Sequence, residues 1–227
     1  MKTHTFIFAA LLLLMLTACT GTNSGRATFV LTDAAADMGS VTKVKVTIDS
    51  VQAHHATGWV SASTTPQTYD LLALKASGNS VLIADTQLRA GTYDQVRLHI
   101  TKVIITDENG DHVAKLPSDD LKLVGKLQIV ANQTSTITFD FIADESLHMT
   151  GNGLYIFAPV IKLETRTNAE VDTNTQSDVK ISGGTSQSIK QSMDIDGNIG
   201  EGLKIGKDAK LSLNGNKITE ELRVSIT

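Results

Sequence analysis

The segment VTKVKVTIDSV, residues 41–51, alternates apolar and polar side chains with period two: Val44, Val46 and Ile48 on one side, Lys45, Thr47 and Asp49 on the other. Only an extended strand places such a set on a single face. The phase then slips, because Val51 and Ala53 continue the apolar face from odd positions, and a β-bulge near Asp49-Ser50 restores it. The same arrangement recurs further along the chain. Val96, Leu98 and Ile100 alternate, the phase slips at Thr101-Lys102, and Val103 and Ile105 resume. At that one offset Gly39 matches Gly91, Lys45 matches Arg97, and Gly58 matches Gly110. Two readings fit: an internal duplication of a long strand plus hairpin, or convergence on one sandwich pattern. Either way two long bulged strands lie at the centre of a sheet system.

Shorter strands fit around them. ATFVL (27–31), TYDLLAL (68–74), SVLIA (80–84), HVAKL (112–116), GKLQIVA (125–131) and STITFDFIA (135–143) all read as strands. Asn109-Gly110 in DENGD is a type I′ hairpin signal, and NQT turns the chain at 132–134. LYIFAPVIKLE (154–164) reads as one more strand, with Pro159 implying an edge or a bulge. No segment has convincing helical amphipathicity. The expected fold is all-β, a two-sheet β-sandwich with a small β-rich C-terminal region.

Aromatic residues divide the chain. Those beyond the leader lie between Phe29 and Phe157, whereas Arg166 to Thr227 has no aromatic, proline or histidine. The sandwich is therefore expected at 26–165, a polar linker at 166–178, and a separate small β-module at 179–227. Its apolar pairs include Val179/Ile181, Leu203/Ile205 and Leu211/Leu213.

The first residues carry an address. Lys2 is followed by the apolar run Phe6–Leu16 and by Leu16-Thr17-Ala18-Cys19. That is the layout of a secretory leader, too short to cross a bilayer as a helix. The ending resembles a bacterial lipobox, whose cysteine is acylated and becomes the first mature residue. Residues 1–18 thus read as a leader, Cys19 as the lipidation site, and 19–25 as a polar tether. Two acyl chains would hold the protein on a membrane, the outer one in an organism with two, since no Asp follows Cys19. The formal charge of −4 becomes −5 once Lys2 is removed, which gives no reason to expect nucleic-acid binding. Cys19 is the one cysteine, so no disulfide is expected.

FVLTDAAAD (29–37), VKVTIDSVQAH (44–54), YDLLAL (69–74), LRAGTYDQVRLHI (88–100), ITFDFIADESL (137–147) and GLYIFAPVIKL (153–163) together resemble the envelope lipoprotein family defined by the domain of unknown function 4382. The family's usual proline after Leu-Thr-Asp-Ala is replaced here by Ala35. The resemblance implies a secreted, lipid-anchored sandwich of transthyretin or immunoglobulin type, and it implies no activity. AGTYDQV is also similar to strands of carboxypeptidase-regulatory and collagen-binding sandwiches, which are spacers or binding modules.

Few residues offer chemistry. His54 and His55 are adjacent on a strand and point to opposite faces, so one metal cannot easily take both; His99 on the neighbouring strand is the remaining partner. Asp107, Glu108, Asn109 and Asp111 cluster oxygens at a hairpin tip, as do Asp194, Asp196, Asn198 and Glu201 in DIDGNIGE. Either is a candidate for weak Ca²⁺, although Ile199 stands where an EF-hand has glycine, and a polar turn explains both. Asp140 alternates outward between Phe139 and Phe141 and reads as a surface group. Without a nucleophile elbow, a Walker loop or a dinucleotide fingerprint, no catalytic residue is assigned and no cofactor beyond weak Ca²⁺. The expectation is a non-catalytic, lipid-anchored surface module for binding, adhesion or support. Its partner lies in the envelope or outside the cell, and a small-ligand or Ca²⁺-binding protein is the alternative.

Overall fold

The computed structural model describes residues 23–34, 37–175, 177–206 and 209–221. Its framework is two six-stranded sheets packed face to face. The first is ordered β16 (Ile199–Gly200), β15 (Thr185–Met193), β12 (Val160–Thr167), β9 (Thr134–Phe141), β1 (Ser24–Asp33), β5 (Val81–Arg89). The second is built on the long strands β2 (Lys43–His55) and β6 (Gly91–Asp107). β3 (Gly58–Ser63) and β4 (Gln67–Asp70) share the outer edge of β2, and β7 (Gly110–Val113) and β8 (Asp120–Ile129) share that of β6. Three hairpins complete the chain: β10 (Leu147–Met149) with β11 (Tyr155–Phe157), β13 (Glu170–Thr175) with β14 (Asp178–Ser182), and β17 (Lys210–Asn214) with β18 (Lys217–Glu221). Phe29, Leu31, Phe139 and Phe141 of the first sheet and Val46, Ile48, Leu98 and Ile100 of the second join one apolar core. The all-β sandwich expected from alternation is what forms.

The phase slips are bulges. Between β2 and β6 the pairing steps from Ile48↔Ile100 to Ser50↔His99 on one side and to Thr47↔Lys102 on the other, which leaves Asp49 and Thr101 without a register partner. The two side chains meet there, the Thr101 hydroxyl donating to Asp49 Oδ1 at 2.8 Å across 52 residues of sequence.

That offset runs through the whole second sheet. Lys45↔Asp70, Val46↔Tyr69 and Thr47↔Thr68 between β2 and β4 have counterparts in Arg97↔Lys122, Leu98↔Leu121 and His99↔Asp120 between β6 and β8. His54↔Trp59 and His55↔Gly58 in one hairpin match Thr106↔Asp111 and Asp107↔Gly110 in the other. β2–β4 and the matching part of β6–β8 are thus one unit used twice, related by an approximate two-fold axis through the Asp49–Thr101 contact. The repeat is therefore one of strand pairing as well as of sequence pattern.

Several boundaries move. TYDLLAL is extended only to Asp70, and Leu71–Ser77 is a two-turn helix with Leu71 buried and Gly78 in the left-handed conformation closing it. LYIFAPVIKLE is cut at Pro159 into β11 and β12, which belong to different sheets. HVAKL is a strand only through Val113, beyond which Lys115 makes a lone bridge to Ile156. The Asn109-Gly110 turn is not type I′: of the two only Gly110 has positive φ, at 113°. β1 and β9 pair in parallel, a crossover that alternation alone does not disclose.

The largest correction concerns the C-terminal region. β15 pairs with β12 along its whole length, from Val160↔Ser192 to Thr167↔Thr185, inside the main sheet. Met193, Ile205, Leu211 and Ile218 are buried in the same core as the sandwich aromatics. The segment expected as a linker, 166–178, is largely strand. No separate module begins at 179. The missing aromatics misled because the tail adds its few apolar side chains to a core already filled by others.

Gln191 locks this arrangement. It is 1% exposed, its Oε1 accepts from Val124 N–H at 2.9 Å, and its Nε2 donates to Val124 O at 2.7 Å. Thr165 Oγ1 donates to Lys126 O and Ser135 Oγ to Gln128 O. Three strands of the first sheet, β15, β12 and β9, thus satisfy alternate carbonyls on the edge of β8 in the second. The approach is close at Gly125, where a Cβ would lie 2.6 Å from Leu163 Cδ2.

Candidate functional site

The outer face of the second sheet is where side chains with recognition chemistry gather. Cross-strand pairing lays them out in rows over β3, β2, β6 and β8. One row is Trp59, His54, Gln95, Val124; the next is Ser61, Gln52, Arg97, Lys122; a third is Ser50, His99, Asp120. Strands sit about 4.8 Å apart, so each four-strand row is roughly 15 Å wide.

The centre is a preorganised network. The Arg97 guanidinium stacks 4.5 Å from the Trp59 ring centroid. Its Nε donates to Gln52 Oε1 at 2.9 Å, its Nη2 donates to the same oxygen, and Nη1 reaches Asp120 Oδ2 at 3.5 Å. His99 Nδ1 lies 2.8 Å from Asp120 Oδ1, and His54 Nδ1 is 2.8 Å from Asp94 Oδ1. The His54 ring tilts against Trp59 with centroids 5.0 Å apart. The hydrogen bond from His54 holds the Asp94 carboxyl below the ordinary carboxylate range. Asp94 is exposed and the other groups are half-exposed, so the network is reachable from solvent.

At the β8 end the platform deepens into a trough of about 390 Å³ lined by Gln95, Ser118, Asp120, Lys122, Val124 and the turn Gly197–Ile199. The turn is stiffened from within: Asp194 Oδ1 accepts from the backbone N–H of Asp196 and of Asn198, and its Oδ2 from Asn198 Nδ2. Gly197 fits against Pro117-Ser118, where a Cβ would come within 2.8 Å of Ser118 Cβ.

The duplicated half offers a built-in comparison. At the shifted positions Arg97 becomes Lys45, His99 becomes Thr47, Gln52 becomes Ile104, His54 becomes Thr106 and Trp59 becomes Asp111. The backbone plan is shared, and the aromatic, imidazole and guanidinium groups are on one side alone.

The residues singled out by sequence separate accordingly. His54 and His99 share the platform, each with its own carboxylate, whereas His55 turns away, its ring 5.2 Å from that of the buried Tyr93. Asp107 accepts from the Tyr155 hydroxyl at 2.8 Å, from His112 Nε2 at 3.0 Å and from the Asn109 N–H, and these bonds, the tyrosine's foremost, depress its carboxyl. Asp111 accepts from Thr106 at 2.6 Å instead. The hairpin-tip oxygens thus hold the hairpin together, and those of 194–198 stiffen a trough wall. Among the described residues no three His, Cys, Asp or Glu side chains are grouped to hold a metal. Asp140 is half-buried, not a free surface group; burial pushes its carboxyl up, with Lys162 and Lys75 opposing. Cys19 lies outside the described residues.

Sequence reading missed Trp59, Gln52, Asp94 and Asp120. One signal was available: the single tryptophan follows Gly58 in the hairpin return, opposite His54 on the outward phase.

Fold and platform together define a β-sandwich with a polar-aromatic platform on one side of a sheet built from a repeated unit. The chain belongs to the family of the domain of unknown function DUF4382, whose model matches residues 24–159. Comparison with curated proteins and with solved structures finds no match. The matched span ends just before β12, so β12, β15 and β16, three of the six strands of the first sheet, lie beyond it.

Proposed function

We propose that this chain is a lipid-anchored envelope protein whose sandwich is a non-catalytic binding module, with the Trp59–Arg97 platform as its binding face. The observation that carries the reading is the one-sidedness of the duplicated sheet. A role in holding the fold would call for similar groups on both halves, whereas tryptophan, arginine and histidine are concentrated on one. Trp and Arg in a half-exposed, hydrogen-bonded array are also the residues that dominate binding energy at interfaces. The anchor rests on Leu16-Thr17-Ala18-Cys19 behind the Phe6–Leu16 run, with the outer membrane as the address in a two-membrane cell.

Because Trp59 is the single tryptophan, intrinsic emission reports this face directly. Titration with polysaccharide, protein and small-molecule fractions of the cell's surroundings should give a saturable emission change with one of them, lost in Arg97→Ala. No change with any fraction contradicts a binding face. Labelled palmitate should enter the wild type and not Cys19→Ala; equal labelling contradicts the anchor.

A further inference from the structure

We infer that the ligand of this platform is an uncharged oligosaccharide, laid across β3, β2, β6 and β8 from Trp59 to the Asp194–Ile199 turn. The inference rests on the binding-face reading and adds the ligand's chemistry.

Charge balance is the first argument. Charged groups and their partners lie together on the platform: the Arg97 guanidinium and the His99 ring both meet Asp120, and the His54 ring meets Asp94. A charged ligand would have to break these pairs, leaving a partner group unpaired. An uncharged one leaves them intact and uses their remaining capacity. Gln52, Gln95, Asn198 and the two histidines carry donors and acceptors, and Asp94 and Asp120 keep acceptor lone pairs, which together match ligands whose hydroxyls both give and accept hydrogen bonds.

Shape is the second. The sheet face is broad and open, roughly 15 Å across four strands, with an open polar trough at the far end. A small metabolite would be left mostly in solvent on such a surface, since small-molecule sites bury most of their ligand. A chain of sugar rings can follow it. A protein partner would favour an apolar patch centre depleted of charge. Here the positions between Trp59 and Val124 are occupied by His54 and Gln95, with Gln52, Arg97 and Lys122 in the next row.

Trp59 supplies the apolar contact. Its indole is half-exposed and held by Arg97 on its face and His54 beside it, so a sugar ring can pack its C–H groups on a surface already ordered.

The test is binding of the protein to an array of uncharged oligosaccharides covering the common hexose, pentose and N-acetylhexosamine linkages, followed by calorimetry and Trp59 emission on the best binder. Polygalacturonate and serum proteins serve as charged and protein comparisons. The expected result is saturable binding of an uncharged oligosaccharide, little changed by salt, weakened about tenfold or more by Gln52→Ala and Trp59→Ala. Trp59→Tyr, which keeps a stacking ring, should retain most of it. Unchanged melting of the variants separates lost contacts from lost folding. No binding across the array, or binding of polygalacturonate or protein alone that Trp59→Ala removes, overturns the oligosaccharide and leaves the face. Oligosaccharide binding undiminished in Trp59→Ala overturns the face itself.

Discussion

Gln191 shows how much of this fold depends on single side chains between the sheets. One buried amide satisfies both the N–H and the C=O of Val124. Gln191→Leu leaves both without a partner, and urea unfolding should show a loss of about 1–3 kcal/mol. Ile48→Ala and Ile100→Ala, beside the bulge, should each cost about 2–5 kcal/mol in the same assay, because both side chains are buried in the core. Asp140 carries the opposite sign. Burial raises its carboxyl, so the folded state holds its proton more tightly than the unfolded chain does. The ionised form therefore costs stability above the folded pKa, and that cost fades as pH falls through it. Asp140→Asn should melt higher than wild type at neutral pH, with the gap closing in acid; a gap that widens in acid contradicts this assignment. At this scale the sequence was legible where alternation decides orientation, as at Ile48, Ile100 and Phe139. It was illegible for Gln191, whose polarity gave no hint of a buried position, because the partner that makes burial tolerable is distant in sequence.

The strands were largely visible as elements, and their ends were not. Leu71 to Leu74 alternate no better as a strand than as a helix, and the buried Leu71 together with the Gly78 cap settles them as helix. Pro159 was visible as an interruption, but nothing local says that the two halves enter different sheets. The C-terminal strands were visible too; their destination was not, since β15 completes a sheet begun well over a hundred residues earlier. A chain ending at Thr167 therefore loses β15 and the burial of Met193, Ile205, Leu211 and Ile218. Each large apolar side chain fully buried contributes about 1.5–3 kcal/mol, against a total stability of about 5–15 kcal/mol for a domain. Circular dichroism and urea titration of this shortened protein should find it unfolded or melting far below the full chain. A cooperative transition close to that of the full chain would contradict a single shared core.

Across the whole molecule, one structural unit occurs twice, and the Trp59–Arg97 platform forms on only one side of the axis that relates the two copies. The repeat was half-legible: Gly58/Gly110 and the twin phase slips pointed to it, while few other positions match, and only the register of β4 and β8 shows how far the shared pairing extends. The platform was less legible, because Trp59, Gln52, Arg97 and Asp120 come from four strands and adjoin only once the sheet is paired. Arg97 and Lys45 occupy equivalent backbone positions, so a matched pair of substitutions isolates side-chain chemistry from fold. The most direct measurement is the dissociation constant of the best-binding oligosaccharide for Arg97→Ala and for Lys45→Ala, each against wild type. The account predicts a loss of about tenfold or more for Arg97→Ala and no change for Lys45→Ala. Equal losses, or a loss at Lys45 alone, would contradict a binding face confined to the Trp59 half.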